Sequence, residues 1–490
     1  MNTAPVSLES IQSFEGKYPK QLWWLFFSEM WERFSFYGMR GMLTIFMVDQ
    51  LFMNEKVANL QYGATQAFVY AFTFVGGLFA DKILGFRKSL FWGGTLMVVG
   101  SLILAINPQK LFFLGIAFNI VGTGFFKPNI STMVGSLYKE GDSRRDAGFS
   151  LFYSGINVGA LLGGYIPVAV GNSYSWNLAF GLTAIVMTIG VITFSFSQKS
   201  LGPIGLQPAQ TSKWPEYATY LGTLAVIPVL MTMVSKTDLT DYFMYTIGPI
   251  TLLYVAWEMT RYSAEERKKL LAAMVFVIFS IIFWAFFEQS GGSLALFAKN
   301  NLEPTKVLFF TLDPNGVNNA ANSLFVIIFA PLLGLVWVAL ATKKLEPNTV
   351  VKFGLGFLFL AAAFWVFFST RYFADARGIT SLGVFTAAYF VITFGELCLS
   401  PIGLSIMTKL SPKPLQGVMM GMWFLASAYG QYVAGLLGAG MSSPDANATP
   451  TDKLTLYTAG YQQLAIYALV AGVLLLAISP GVRKLMGEVK

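Results

Sequence analysis

In the stretch FFSEMWERFSFYG, Phe26 to Gly38, two glutamates and an arginine stand inside a run that otherwise suits a membrane-spanning helix. Glu29, Arg33, Tyr37 and Arg40 are separated by four, four and three residues, which stacks them on one helical face, and Glu32 lies beside the stripe. An arginine within one turn of two carboxylates can hold them ionised where hydrocarbon would charge ~2.5 to 3.5 kcal/mol for each. A self-contained ion cluster that fixes helix packing would need no more than these three. Arg40 extends the stripe beyond any such local need, so the pattern points to proton exchange and to binding of charged groups. The chain has no histidine, so proton chemistry near neutral pH falls to carboxylates.

The elements that must position these groups are membrane helices. The 490 residues are 55% hydrophobic and only 12% charged, with 45 phenylalanines and a mean hydropathy of +0.59, the profile of a polytopic membrane protein. Apolar runs recur along the whole chain and leave no room for a large soluble domain. The net charge of +8 is scattered among short polar links beside those runs, which fits membrane topology and not nucleic acid. Cys398, the one cysteine, forms no intrachain disulfide. With no histidine and no metal-ligand cluster, the sequence gives an intramembrane enzyme little to work with, and no metal or other cofactor is expected. The polar, mixed first 20 residues carry no apparent cleavable signal.

Six spans are expected first, near 21–48, 61–80, 89–106, 111–137, 147–170 and 176–197. After the link SLGPIGLQPAQTSKWPE come two apolar runs near 215–234 and 242–260, then the basic break RYSAEERKKL, then six more near 270–290, 318–341, 352–369, 382–408, 415–439 and 459–480. An N-terminus on the inner side puts about 22 Lys/Arg inside and about 8 outside, the bias that orients membrane proteins. The expected fold class is therefore an all-α polytopic membrane protein with a major facilitator fold, two six-helix bundles plus two inserted helices, fourteen transmembrane helices in all. The corresponding divisions are 1–20, a cytoplasmic segment; 21–198, the first bundle; 199–268, the linker with the inserted pair; 269–480, the second bundle; and 481–490, a cytoplasmic tail. The inserted pair has no strong internal charge that would assign it chemistry.

Charges well inside the spans are few: Glu29, Glu32, Arg33 and Arg40 in the first helix, Lys127 in the fourth, Glu288 in the seventh and Glu396 in the tenth, the inserted pair not counted. In a major facilitator fold those four helices line the central cavity, where a charge can be hydrated or paired. Four acids face three bases. An acid whose cationic partner swings away between conformations gains affinity for a proton, the minimum machinery for coupling proton movement to a conformational cycle.

Several motifs together resemble the proton-dependent oligopeptide transporters, the POT family of the major facilitator superfamily. EMWERFSFYG matches the family's first-helix pattern at Glu29, Glu32, Arg33, Phe34, Tyr37 and Gly38, with Phe36 in place of a tyrosine. GGLFADKILGFRKS resembles the superfamily loop after the second helix. GTGFFKPNIS carries the family lysine as Lys127, and FYSGINVGA and FGELCLSPIGLS resemble the fifth- and tenth-helix signatures. The inserted pair is typical of prokaryotic members. The resemblance implies uptake of di- and tripeptides driven by an inward proton gradient, in a bacterial inner membrane with both termini cytoplasmic and the monomer as functional unit. A proton-coupled carrier of another small anion or metabolite, such as nitrate, is the same-fold alternative, and a fixed acid at Glu396 would repel a simple anion.

A peptide of any sequence offers an ammonium, a carboxylate and amides. Arg33, Arg40 and Lys127 can clamp the carboxylate and Glu396 can receive the ammonium. The resemblance implies the same division and adds Asn157 and Asn322 at the amino-terminal end. It also implies Tyr70 and Trp423 as cavity aromatics. Tyr37 joins them from the charged stripe, Ser427 is counted with Trp423, and Trp284 is a further aromatic candidate. By resemblance Glu288 pairs with Arg40 and releases it on protonation, while Glu29 and Glu32, with Lys127, are the other proton-coupling groups. Asp81, in the turn after the second helix, is expected to gate with Arg40 and Glu288, and positive-inside topology accounts for Arg87 and Lys88. Pro128, Pro167, Pro331 and Pro401 mark bends within spans.

Overall fold

The computed structural model describes residues 6–208, 212–399, 403–443, 445 and 447–489. Contacts divide the chain into two compact units, Met1–Leu43 with Phe68–Ser235, and Thr44–Ala67 with Lys236–Lys490. The first holds α1 (Leu8–Gln12), most of α2 (Lys20–Asp49), the end of α3 (Glu55–Phe79), α4 (Gly85–Ile106), α5 (Pro108–Ser136), α6 (Arg145–Ser173), α7 (Trp176–Ser197) and α8 (Trp214–Ser235). The second takes the end of α2 and the first half of α3 together with α9 (Thr237–Met259), α10 (Ala264–Phe287), α11 (Ser293–Asn301), α12 (Pro314–Thr342), α13 (Thr349–Ser369), α14 (Leu382–Leu399), α15 (Gly403–Leu410), α16 (Gln416–Met441) and α17 (Pro450–Met486). A small antiparallel ribbon, β1 (Thr305–Val307) with β2 (Phe310–Leu312), lies between α11 and α12.

Ten helical stretches among the described residues are long and apolar enough to cross a membrane. Their ends carry the expected chemistry. The Asn107 side chain caps α5 beside Pro108, and Asp313 caps α12 beside Pro314. Thr449 and Asp452 form a reciprocal capping box at α17. One expected span is interrupted. The seventh stops at a short 3₁₀ turn, Glu288–Gly291, before resuming as α11, so Glu288 sits at a break in the helix. The region expected as 382–408 is described as α14 and α15, and Pro401 lies outside the described residues.

Small residues set the packing in the first unit. Gly155, Gly159 and Gly163 form an i, i+4 row on α6, facing Phe26, Met30 and Phe34 of α2. A Cβ at Gly159 or Gly163 would run into the Met30 or Phe34 backbone carbonyl, so α2 rests directly on the glycine row. That row fixes the rotation of the helix carrying Glu29, Glu32 and Arg33.

The turn after α3 is built around the link that follows α7. Arg87 donates from Nε to the Ile204 carbonyl at 2.7 Å and from Nη1 to the Gln198 carbonyl at 3.1 Å, and Nη2 reaches Gly202 at 2.5 Å. Lys88 donates to Gln207 and pairs with Glu216 of α8, both at 2.6 Å. These two cations organise the link, a role beyond the topological one expected from sequence. Gly85 has φ +73°, and a Cβ there would lie 2.6 Å from the Leu206 and Gln207 backbone. Gly85→Ala is expected to cost about 1–3 kcal/mol through the left-handed strain alone, with more from the collision, read as a lower thermal midpoint of the purified protein.

Candidate substrate and proton site

The first unit carries one half of the charged groups. Arg33 Nε lies 2.9 Å from Glu29 Oε1 and 2.6 Å from Glu32 Oε2, with all three side chains buried. Neither approach has hydrogen-bond geometry. Among the described residues Glu29 Oε2 and both Glu32 oxygens are buried without a hydrogen-bond partner. The Lys127 ammonium attracts both carboxylates and sits 4.4 Å from the centre of the Tyr70 ring. Arg40 lies over Tyr37 at 5.7 Å and Arg33 over Phe36 at 5.4 Å. The ring at position 36 thus keeps the cation contact without a hydroxyl. Tyr37, Arg40, Tyr70 and Lys127 are all half-buried, whereas Phe36 is 3% exposed.

Two more residues of this unit are placed less centrally. Asn157 is buried on α6, where its Nδ2 donates to the Tyr153 carbonyl one turn earlier at 2.9 Å. Its amide oxygen remains the group available to a ligand. Asp81 is exposed within the π-helical turn Ala80–Leu84.

In the second unit Asn322 of α12 donates to Glu396 Oε2 of α14 at 2.9 Å and is 3.1 Å from Thr393 Oγ1. Behind it, Tyr389 Oη donates to Asn318 Oδ1 at 2.6 Å, and Asn318 Nδ2 donates to the Ser290 carbonyl at 2.7 Å. A carboxylate held by an amide on a packed pair of helices keeps its orientation. Glu288 is 5% exposed, at the helix break. Trp423 and Ser427 are buried on α16, with Ser427 Oγ donating to the Trp423 carbonyl at 3.2 Å. Trp284 presses its Cβ against Gly430 and edges onto Phe283 and Phe287, a packing position between α10 and α16.

Sequence reasoning missed Tyr389, Thr393 and Asn318. Tyr389, Thr393 and Glu396 are spaced four and three apart on α14, the same signal that marked the stripe on α2. Counted by unit, the seven intramembrane charges divide into three bases with two acids in the first and two acids in the second.

The POT family model matches residues 87–453. The chain is 33% identical to the peptide transporter YePEPT of Yersinia enterocolitica subsp. palearctica, over 96% of each chain. It is 32% identical to a di-/tripeptide transporter of Lactococcus lactis subsp. cremoris, over 98% of each. Among solved structures it is similar to a peptide transporter POT crystallised with sulfate, with a TM-score of 0.83, 33% identity, and coverage of 98% of this chain and 99% of the other. The fold is that shared helical architecture.

Proposed function

We propose that this chain, which belongs to the POT family, takes up di- and tripeptides together with protons by alternating access. It is a multi-pass membrane transporter, not an enzyme. Its close relatives carry peptide-transporter names over nearly their full lengths. The observation that carries the reading to this chain is the split of charge: Arg33, Arg40 and Lys127 give the first unit an excess of base, and the second unit holds Glu396 on Asn322. Such a split suits a ligand with a carboxylate at one end and an ammonium at the other. Asn157, Tyr37, Tyr70, Trp423 and Ser427 complete the substrate contacts, and Asp81 acts in gating.

Glu32 is the proton acceptor in this reading. Both of its oxygens are buried without a well-formed hydrogen bond, which favours the neutral acid, and the Arg33 attraction that opposes protonation is shared with Glu29. Glu288, released from Arg40 by protonation, is the second coupling group. The energy source is the proton gradient, with no cofactor required. The bundles at 21–198 and 269–480, the inserted pair within 199–268, fourteen spans, cytoplasmic termini, an inner bacterial membrane and a functional monomer belong to the same proposal.

Uptake of a labelled dipeptide into liposomes holding the purified protein tests it. Accumulation is expected only with an inward proton gradient, and gradient-independent uptake would end the symport reading. Glu396→Gln is expected to weaken binding of free dipeptides about 10- to 100-fold, the worth of a charge-assisted hydrogen bond, and to affect N-acetylated peptides much less. Equal losses for both ligands would remove Glu396 from ammonium recognition. A simple anion is the less suitable cargo, because Glu396 opposes it.

A further inference from the structure

The tip of α3 plugs into a polar socket that the substrate and proton chemistry does not use. Glu55, the first residue of α3, is 7% exposed. Its Oε1 accepts from Lys453 Nζ at 2.7 Å and from Asn300 Nδ2 at 2.9 Å, and its Oε2 accepts from Tyr457 Oη at 2.5 Å. Lys453 also reaches Asn300 Oδ1 at 3.3 Å. One carboxylate therefore joins three donors from α11 and α17, and its place at a helix N-terminus adds a favourable dipole.

The frame of the socket has hydrogen bonds of its own that do not involve Glu55. Asn301, fully buried, donates to the Gly378 carbonyl at 2.9 Å and the Pro450 carbonyl at 2.7 Å, and Thr380 N–H donates to the Asn301 carbonyl at 2.8 Å. These bonds tie the end of α11 to the start of α17. The α3 side is shaped to fit. Asn59, one turn after Glu55, donates to Ser442 Oγ at 3.0 Å, and Gly63 packs on Gly435 so closely that a Cβ on either would lie 2.8 Å from the other's Cα. Asp49, at the end of α2, pairs with Lys299 beside Asn300.

By sequence, residues 44–67 continue helices of the first bundle, yet by contact they belong to the second unit. We propose that Glu55 is a gating residue: with Lys453, Asn300 and Tyr457 it forms an outer latch, separate from the Arg40–Glu288 pair, that must release each time the carrier opens outward. This rests on the alternating-access reading above. Glu55 is buried and Lys453 half-buried, so removing either partner leaves the other charge poorly compensated and loosens the closed contact. The latch therefore sets how often the outer side opens.

Ser442 is 8% exposed and its Oγ accepts from Asn59 across this contact, so alkylation there is expected to follow its parting. Ser442→Cys in a Cys398→Ala background gives a single reporter thiol in the full chain. Its alkylation by a water-soluble maleimide, with neither peptide nor gradient present, reads latch opening directly. The assay keeps its meaning even if the cargo is not a peptide, so failure of the latch and failure of the transport reading are distinguishable. Glu55→Gln and Lys453→Met are each expected to speed alkylation about tenfold, with Tyr457→Phe giving a smaller change in the same direction. The double variant is expected to be no faster than either single, the signature of one shared interaction. Unchanged rates in both single variants, or additive effects, would overturn the proposal. A thermal melt of each variant identifies general unfolding, in which case the hydroxyl deletion at Tyr457 decides the outcome: a rate unchanged from the parent also overturns it.

Discussion

Glu32→Gln is expected to abolish uphill accumulation of dipeptide while leaving exchange of peptide for peptide largely intact. A glutamine keeps the shape of Glu32 inside the buried cluster but cannot take or give a proton. Exchange needs only the loaded carrier to reorient, whereas accumulation needs proton binding to bias that reorientation. With an inward gradient, the parent should concentrate peptide and respond to lowered external pH; the variant should stop near equal concentrations and show a flat response. Glu29→Gln is the informative contrast. Glu29 approaches Arg33 at 2.9 Å, against 2.6 Å for Glu32, and has one oxygen without a partner where Glu32 has two. If Glu29→Gln loses accumulation and Glu32→Gln does not, the proton site has been assigned to the wrong carboxylate. Glu288→Gln should also lose accumulation, because its proposed pairing with Arg40 is then permanently weakened.

Gly159→Val is expected to be the most damaging structural change in the first unit. The side chain would enter the backbone of α2 at Met30 and the Cβ of Arg33, contacts that no rotamer relieves. Overpacking of this kind costs about 1–3 kcal/mol and more where the neighbour is backbone. The effect reaches function directly, since displaced α2 carries Glu29, Glu32 and Arg33 with it. The measurement is thermal unfolding in detergent together with dipeptide binding, both expected to fall. Gly222→Ala on α8, where nothing lies within 4 Å of the added Cβ, is the matched control. It should be neutral or stabilising, because alanine restricts the unfolded chain and favours helix. A Gly159→Val protein with parental stability would show that the α2–α6 contact yields more readily than its geometry implies.

How much of this was legible in the sequence depended on whether a partner was a side chain or backbone. The stripe on α2 could be read from spacing because Glu29, Arg33, Tyr37 and Arg40 meet through helical periodicity alone. The Asn322–Glu396 bond needed tertiary contact between α12 and α14, but both residues are conspicuous polar groups in apolar runs, so each could be named before their meeting was known. Arg87 was different. Its partners are the carbonyls of Gln198, Gly202 and Ile204, which any residues could supply, so nothing in the letters distinguished it from a topological charge. Glu55 was missed for a related reason. It stands at the end of a span, where charges are ordinary, and only the packing of α11 and α17 buries it. The helix break at Glu288 was hidden because its turn, EQSG, is only four residues long and Glu288 reads equally well as a charge inside a continuous span.

α2 and α3 each pass from one compact unit into the other without leaving the helix, between Leu43 and Thr44 and between Ala67 and Phe68. Backbone hydrogen bonds run through each of those positions, so the residues on either side are tied by helix geometry whatever else they touch. A proline placed there would remove one of those bonds and is expected to lower the thermal midpoint by more than a proline in the first turn of α3.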